Sequence, residues 1–139
     1  MNYKVVAKYI KDLKFEIPDP KTFFLLEKNI SNYKINIDIK SKQFKEKIIE
    51  VETTLALTPN NINFDKINTK IVFATIIDID GELKDKQALE EIILIKVPGE
   101  IYPEIRKLFI LLFEKSGFNK IKIEESINFK ELYLKRSIQ

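Results

Sequence analysis

PEIRKLFILLFEKSG, running from Pro103 to Gly117, has the composition and the ends of a helix. Pro103 suits a first helical turn, Glu104 complements the positive end of the dipole, Lys115 the negative end, and Gly117 supplies a stop. At about 100° per residue, Ile105, Leu108, Phe109, Leu112 and Phe113 fall on one arc. Burying such side chains contributes roughly 1.5–3 kcal/mol each, enough for this helix to anchor a core. Leu111 falls on the opposite face, among Glu104, Lys107, Glu114 and Lys115, and Ile110 lies beyond the edge of the arc. Either a long loop covers them, or a second helix meets them across a subunit contact.

Composition narrows the chemistry available around this helix. At 139 residues the chain has the size of one domain, and such a domain buries roughly two-thirds of its unfolded surface. It contains neither cysteine nor histidine, which removes disulfides, thiolate nucleophiles, imidazole bases and nearly every zinc arrangement. With three glycines there is no glycine-rich phosphate loop, and no serine has a histidine to activate it. Asp78 with Asp80, and Glu90 with Glu91, read as solvated carboxylates in a turn and a helix start rather than as acid–base pairs. The chain therefore reads as a non-enzyme without catalytic residue, metal or cofactor. No run approaches the ~20 apolar residues that span a bilayer, and the N-terminus carries no targeting pattern, so a soluble cytoplasmic protein is expected.

The 24 basic and 21 acidic residues leave a net charge of +3, and the lysines are interspersed with acids along the whole chain. Lys34, Lys40, Lys42, Lys45 and Lys47 do cluster around Tyr33 and Phe44, a pattern compatible with single-stranded nucleic acid. That reading is a remote alternative, and no nucleic-acid partner is expected.

Upstream of the helix the chain reads as strands. Odd and even positions alternate from Tyr3 to Ile17, predicting a long strand with one buried face, ended by Pro18 and Pro20. A crossing loop follows, carrying the large apolar cluster Thr22-Phe23-Phe24-Leu25-Leu26, which either packs into the core or lines a binding surface. Tyr33 to Lys40 alternates as a second strand, Lys40 to Gln43 reads as a polar break, and Ile49 to Leu57 as a third strand ending at a Thr58-Pro59-Asn60-Asn61 turn. From Ile67 to Ile79 both sides are apolar, so this strand needs cover on both faces: the helix for one, a subunit partner for the other. Asp80-Gly81 turns the chain into a segment from Lys84 to Ile95 that begins helical and ends ambiguously, and Pro98-Gly99 breaks it. Beyond Gly117, Ile121 and Ile123 suggest a short extended piece, and Ser126 to Arg136 a final helix. Strands first and helices after predict an α+β fold, an antiparallel sheet backed by helices.

Several landmarks also match a known family. Tyr9-Ile10-Lys11-Asp12-Leu13-Lys14-Phe15-Glu16-Ile17-Pro18 resembles the first-strand signature of SecB, the bacterial protein-export chaperone, Y-x-K-D-[LI]-S-F-E-x-P, with Lys14 in place of the serine. Tyr33-Lys34-Ile35-Asn36-Ile37 is similar to that family's second strand, Tyr102-Pro103-Glu104-Ile105-Arg106 to its F-P-x-x-R, Gly117-Phe118 to its helix exit, and Ile127-Asn128-Phe129-Lys130-Glu131-Leu132-Tyr133 to its last helix. The resemblance implies one SecB-like domain over residues 1–139: a four-stranded antiparallel sheet, a long helix and a C-terminal helix. It implies assembly as a homotetramer, a dimer of dimers, with Phe73 and Leu111 as interface candidates. It further implies an ATP-independent holdase that binds unfolded preproteins and passes them to the export motor SecA.

On that resemblance Phe23, Phe24, Leu25 and Leu26 are candidates for the client groove, and Asp12, Glu16 and Asp78 for the SecA contact. Asp12 and Glu16 lie four residues apart on one strand and so share a face, away from Leu13 and Phe15. Two departures accompany the match. Ile76 stands where the family carries an acid on a later strand, with Asp78 the nearest acid on that face. The sequence also ends in Lys135-Arg136-Ser137-Ile138-Gln139 and is basic, where family members are acidic with an acidic tail. Either the SecA partner is changed to suit, or the chain serves a dedicated non-export client such as an antitoxin.

Overall fold

The alternating segments become strands β1 (Asn2–Glu16), β2 (Tyr33–Lys45), β3 (Ile48–Pro59) and β4 (Asn68–Asp80) of one antiparallel sheet ordered β1-β4-β3-β2. The structure is a computed structural model describing residues 1–29, 33–59, 68–118 and 121–138. Ile67 and the Asn60-Asn61 end of the expected turn fall outside these residues. Helices α1 (Pro20–Asn29), α2 (Lys86–Glu91), α3 (Val97–Lys115) and α4 (Phe129–Ile138) complete the fold. Ile105, Phe109 and Phe113 of α3 are fully buried against Leu55, Leu57, Ile71 and Phe73, with Leu108 and Leu112 half-buried beside them, as the arc predicts. A second cluster joins Ile92, Ile93 and Val97 to Ile49, Val51, Ile77 and Ile79.

Several local expectations are corrected. The simple alternation of β1 is interrupted by bulges between Val5 and Ala7 and between Ile10 and Asp12. Each inserted residue exchanges the two faces, so Tyr9 leaves the helix side while Lys8 and Ile10 turn towards it, opposite Thr75 and Phe73. The polar break at Lys40 to Gln43 is not a break: β2 runs on to Lys45, because Lys40 and Lys42 pair in register with Glu52 and Glu50. The chain instead turns at Glu46-Lys47, with Glu46 at φ +46°.

The crossing loop is helix α1. The Asp19 carboxylate accepts the Thr22 N–H at 2.7 Å, and Pro20 follows at the first helical position, an N-terminal signature that outweighs the flanking prolines. Those bonds to the ionised carboxylate hold Asp19 below its ordinary pKa.

The expected break at Pro98-Gly99 is also absent. A π-helical turn, Ile92–Lys96, joins α2 to α3, and the Val97 N–H bonds back to the Ile92 carbonyl five residues earlier. This wider turn brings Ile92, Ile93, Val97 and Ile101 all to the sheet, and lets Pro98 sit at the start of a new helical run. Pro103 therefore stands inside α3 rather than in its first turn. Among the described residues between Gly117 and α4, none joins the sheet. They are clamped instead: the Tyr102 hydroxyl donates to the Glu124 carbonyl (2.6 Å) and Arg106 Nε to the Ile123 carbonyl (3.1 Å). Burial raises the pKa of Tyr102 above its ordinary value. Asn128 caps α4 by accepting the Glu131 N–H at 3.0 Å.

Candidate functional site

Strand β4 lies between β1 and β3, so its register sorts every side chain of the sheet onto one of two faces. Ile71, Phe73, Thr75, Ile77 and Ile79 face the helices. Val72, Ala74 and Ile76 face away, yet Val72 and Ala74 are buried. Their cover comes from within the chain. Lys11 on β1 reaches over β4 to ion-pair with Glu50 (2.8 Å) and Glu52 on β3, and the Tyr9 hydroxyl donates to Glu50 at 2.9 Å. These bonds stabilise the ionised carboxylate, holding Glu50 below its ordinary pKa and raising Lys11 and Tyr9 above theirs. Within the single chain this face of β4 is covered by polar side chains of β1 and β3.

Asp12, Glu16 and Asp78 all lie on this outer face, opposite Val72, Asn68 and Lys4 respectively. The structure does not gather them. Six β4 positions, about 20 Å, separate the Asp12 and Asp78 pairings. The acids that do converge are Glu50 and Glu52, visible in the sequence only as the polar half of an alternating strand.

The four apolar residues of the crossing segment also divide. Leu26 is buried in the main core, which removes it from any groove. Phe23 is half-buried, its ring 4.7 Å from that of Phe118 and 5.4 Å from that of Phe24. Leu25 is exposed, and Phe24 is 63% exposed. Gly117 is required at this point: it sits at φ +95°, and a Cβ there would lie 3.2 Å from Phe23. Beneath α1, a hollow of about 490 Å³ is lined by Phe15, Ile17, Asp19, Pro20, Phe23 and Ser116. Phe15 reaches it from β1 and stacks edge-on against Phe113 at 4.9 Å. Neither Phe15 nor Ile17 is singled out by the sequence, although their place just before the Pro18 and Pro20 terminator puts them beside α1.

The interface candidates separate as well. Phe73 is buried in the chain's own core, whereas Leu111 is 47% exposed on the outward side of α3. Among the described residues no cluster of acids could hold a metal ion, and no helix is long and apolar enough to cross a membrane.

A sheet with helices on one face and exposed apolar side chains beside a helix-capped hollow is the fold of a SecB-like chaperone. It superposes with TM-score 0.52 on a SecB-like chaperone from Mycobacterium tuberculosis, solved in complex with a ChAD peptide from an antitoxin, at 9% identity over 88% of this chain and 89% of that one. The family model described as preprotein translocase subunit SecB matches residues 1–139. A putative protein-export protein SecB from Pelagibacter ubique is 40% identical over 136 residues, 98% of this chain and 97% of that protein. The SecB of Anaplasma marginale (strain Florida) is 27% identical over 94% of this chain and 79% of its own. The chain belongs to the SecB family.

Proposed function

We propose that the protein is a cytoplasmic, ATP-independent holdase, not an enzyme, that binds unfolded preproteins and passes them to SecA. The observation that carries this reading is the exposed pair Phe24 and Leu25 beside the hollow under α1, which Phe15, Ile17 and Phe23 line. An extended segment of about ten residues spans roughly 33 Å, and burying some 400 Å² of its apolar surface yields on the order of 10 kcal/mol. Ordering its backbone costs roughly 1–2 kcal/mol per residue, which cancels most of that gain. One groove therefore binds weakly and without a sequence code, and several grooves on one tetramer hold a long chain through effective concentration. Leu111 supplies the apolar contact between helices of a homotetramer, and Asp12 with Glu16 the acidic contact for SecA. Phe73 and Asp78 drop out of these roles, the first buried in the core and the second remote from the other acids.

A second reading, a chaperone dedicated to one non-export client, is favoured by the net charge of +3 and by the antitoxin peptide carried by the M. tuberculosis relative. The deciding experiment dilutes a chemically denatured secretory precursor into buffer with and without the protein, in the absence of ATP, and then measures SecA binding. Suppressed aggregation saturating near one tetramer per precursor, with SecA affinity lost in the Asp12→Lys, Glu16→Lys double variant, is the expected result. No suppression removes the general holdase reading, and SecA affinity unchanged in the double variant removes the acidic contact.

A further inference from the structure

The outer face of the sheet carries a groove of about 690 Å³ at the end away from α1. Its floor is Ile76 of β4 and Ile48 of β3, and its apolar walls are Val6 and Tyr9 of β1 and Phe44 of β2. Val6 and Phe44 are the inserted residues of two bulges on the opposite edge strands of the sheet, between Val5 and Ala7 and between Gln43 and Lys45. A bulge re-aims the side chain it inserts. Here two independent bulges turn an apolar side chain towards the same space, leaving Val6 56% and Phe44 71% exposed.

The charges on the rim are uneven. Lys11 and Glu50 line the groove but satisfy each other, with Glu52 and Tyr9 completing their bonds. Lys42 and Lys45 also line it and make no ion pair among the described residues. The Lys45 ammonium lies 5.9 Å from the centre of the Phe44 ring. Asp78 is paired in register with Lys4 and Ile48 nearby and does not line the groove. The site is therefore an apolar trough with two cations at its β2 end that form no ion pair. Lys42 faces in register a Glu50 already bonded to Lys11 and Tyr9, and the lining holds more basic than acidic side chains.

We propose that this groove docks a short extended segment of a partner protein in which acidic residues alternate with aromatic or branched apolar ones. The occupant is a peptide because the trough crosses all four strands, about 14 Å, the span of four or five extended residues. It is acidic because the lining sets Lys11, Lys42 and Lys45 against Glu50 alone and Lys42 and Lys45 form no ion pair, and apolar on alternate positions because Val6, Phe44 and Ile76 demand burial. This docking is separate from client holding under α1 and from the acids at Asp12 and Glu16.

The test is fluorescence anisotropy on the full chain with a labelled peptide alternating Glu with Phe and Val, and its counterpart carrying Lys for Glu. The Glu peptide is expected to bind about tenfold tighter, a difference of about 1.4 kcal/mol, and to weaken as salt rises. The Lys42→Glu, Lys45→Glu double variant reverses that order while suppression of precursor aggregation is unchanged, which separates this site from the holdase reading. Equal or tighter binding of the Lys peptide to the unaltered protein overturns the proposal. So does a Phe44→Ser variant that lowers the oligomer mass in light scattering and leaves Glu-peptide binding untouched, since the groove is then a contact between copies of the chain.

Discussion

On the helix side of the sheet, Phe109 and Phe113 lie against Leu55, Ile71 and Phe73 in a core built mainly of apolar side chains; on the other side, Val72 and Ala74 are buried beneath Tyr9, Lys11, Glu50 and Glu52. The first face is closed by non-directional burial, which depends little on salt or pH. The second is closed by charge-assisted hydrogen bonds that are strongest while Lys11, Glu50 and Glu52 are ionised and the Tyr9 hydroxyl keeps its proton. The same strand, β4, thus has one permanent and one conditional cover. A surface used for passing partners is better served by the second, because its lid of side chains can rearrange without opening the core.

The largest effect falls on the permanent face. Phe109→Ala leaves a cavity beside Phe113, whose ring centre is 5.1 Å away, and is expected to lose about 3–5 kcal/mol in denaturant unfolding. A loss no larger than that of an outer-face substitution breaks the comparison. A smaller effect of opposite sign is expected from Thr75→Val. The Thr75 hydroxyl is buried on the helix side with no partner among the described residues, as are those of Thr53 and Thr69. Its removal is expected to stabilise the fold by about 1 kcal/mol. A destabilised variant would show that the hydroxyl is satisfied.

The smallest effect is on the conditional face, where Lys11→Met changes stability at neutral pH less than either core substitution. Its signature is in the pH dependence. Glu50 is depressed below an ordinary 4.5, so its contribution is full above that pH and is lost as pH falls through the lowered value. Lys11 is raised above an ordinary 10.5, so its contribution is full below that pH and is lost as pH rises through the raised value. Unfolding followed from pH 3 to 12 is expected to lose part of both limbs in Lys11→Met and to become less sensitive to salt. An unchanged profile would mean that the lid contributes nothing.

Much of this contrast was legible in the chain. The α3 arc, the displaced Leu111, the alternation of β1 to β3 and the two-sided apolar content of β4 follow from periods of 3.6 and 2, which local sequence carries. The family landmarks in β1, α3 and α4 likewise sit on local motifs. The candidate site was legible only in part. The run Thr22 to Leu26 was visible as apolar, but its division into buried Leu26, half-buried Phe23 and exposed Phe24 and Leu25 depends on helix α1, which the Asp19-Pro20 start could have signalled.

Sequence by itself determined the fold class, the core-facing arc of α3, the absence of imidazole and thiol chemistry, and the identity of the exposed apolar candidates. Tertiary structure alone decided where β1 and β2 bulge, that β2 continues through its polar stretch, that Pro98-Gly99 is carried through a π turn, and that Lys11 spans β4 to two glutamates. The physical reason is one of range. Periodicity and capping are properties of neighbours along the chain. Register, bulges and cross-strand ion pairs depend on which strand lies beside which, and a one-residue shift exchanges the faces of everything that follows it.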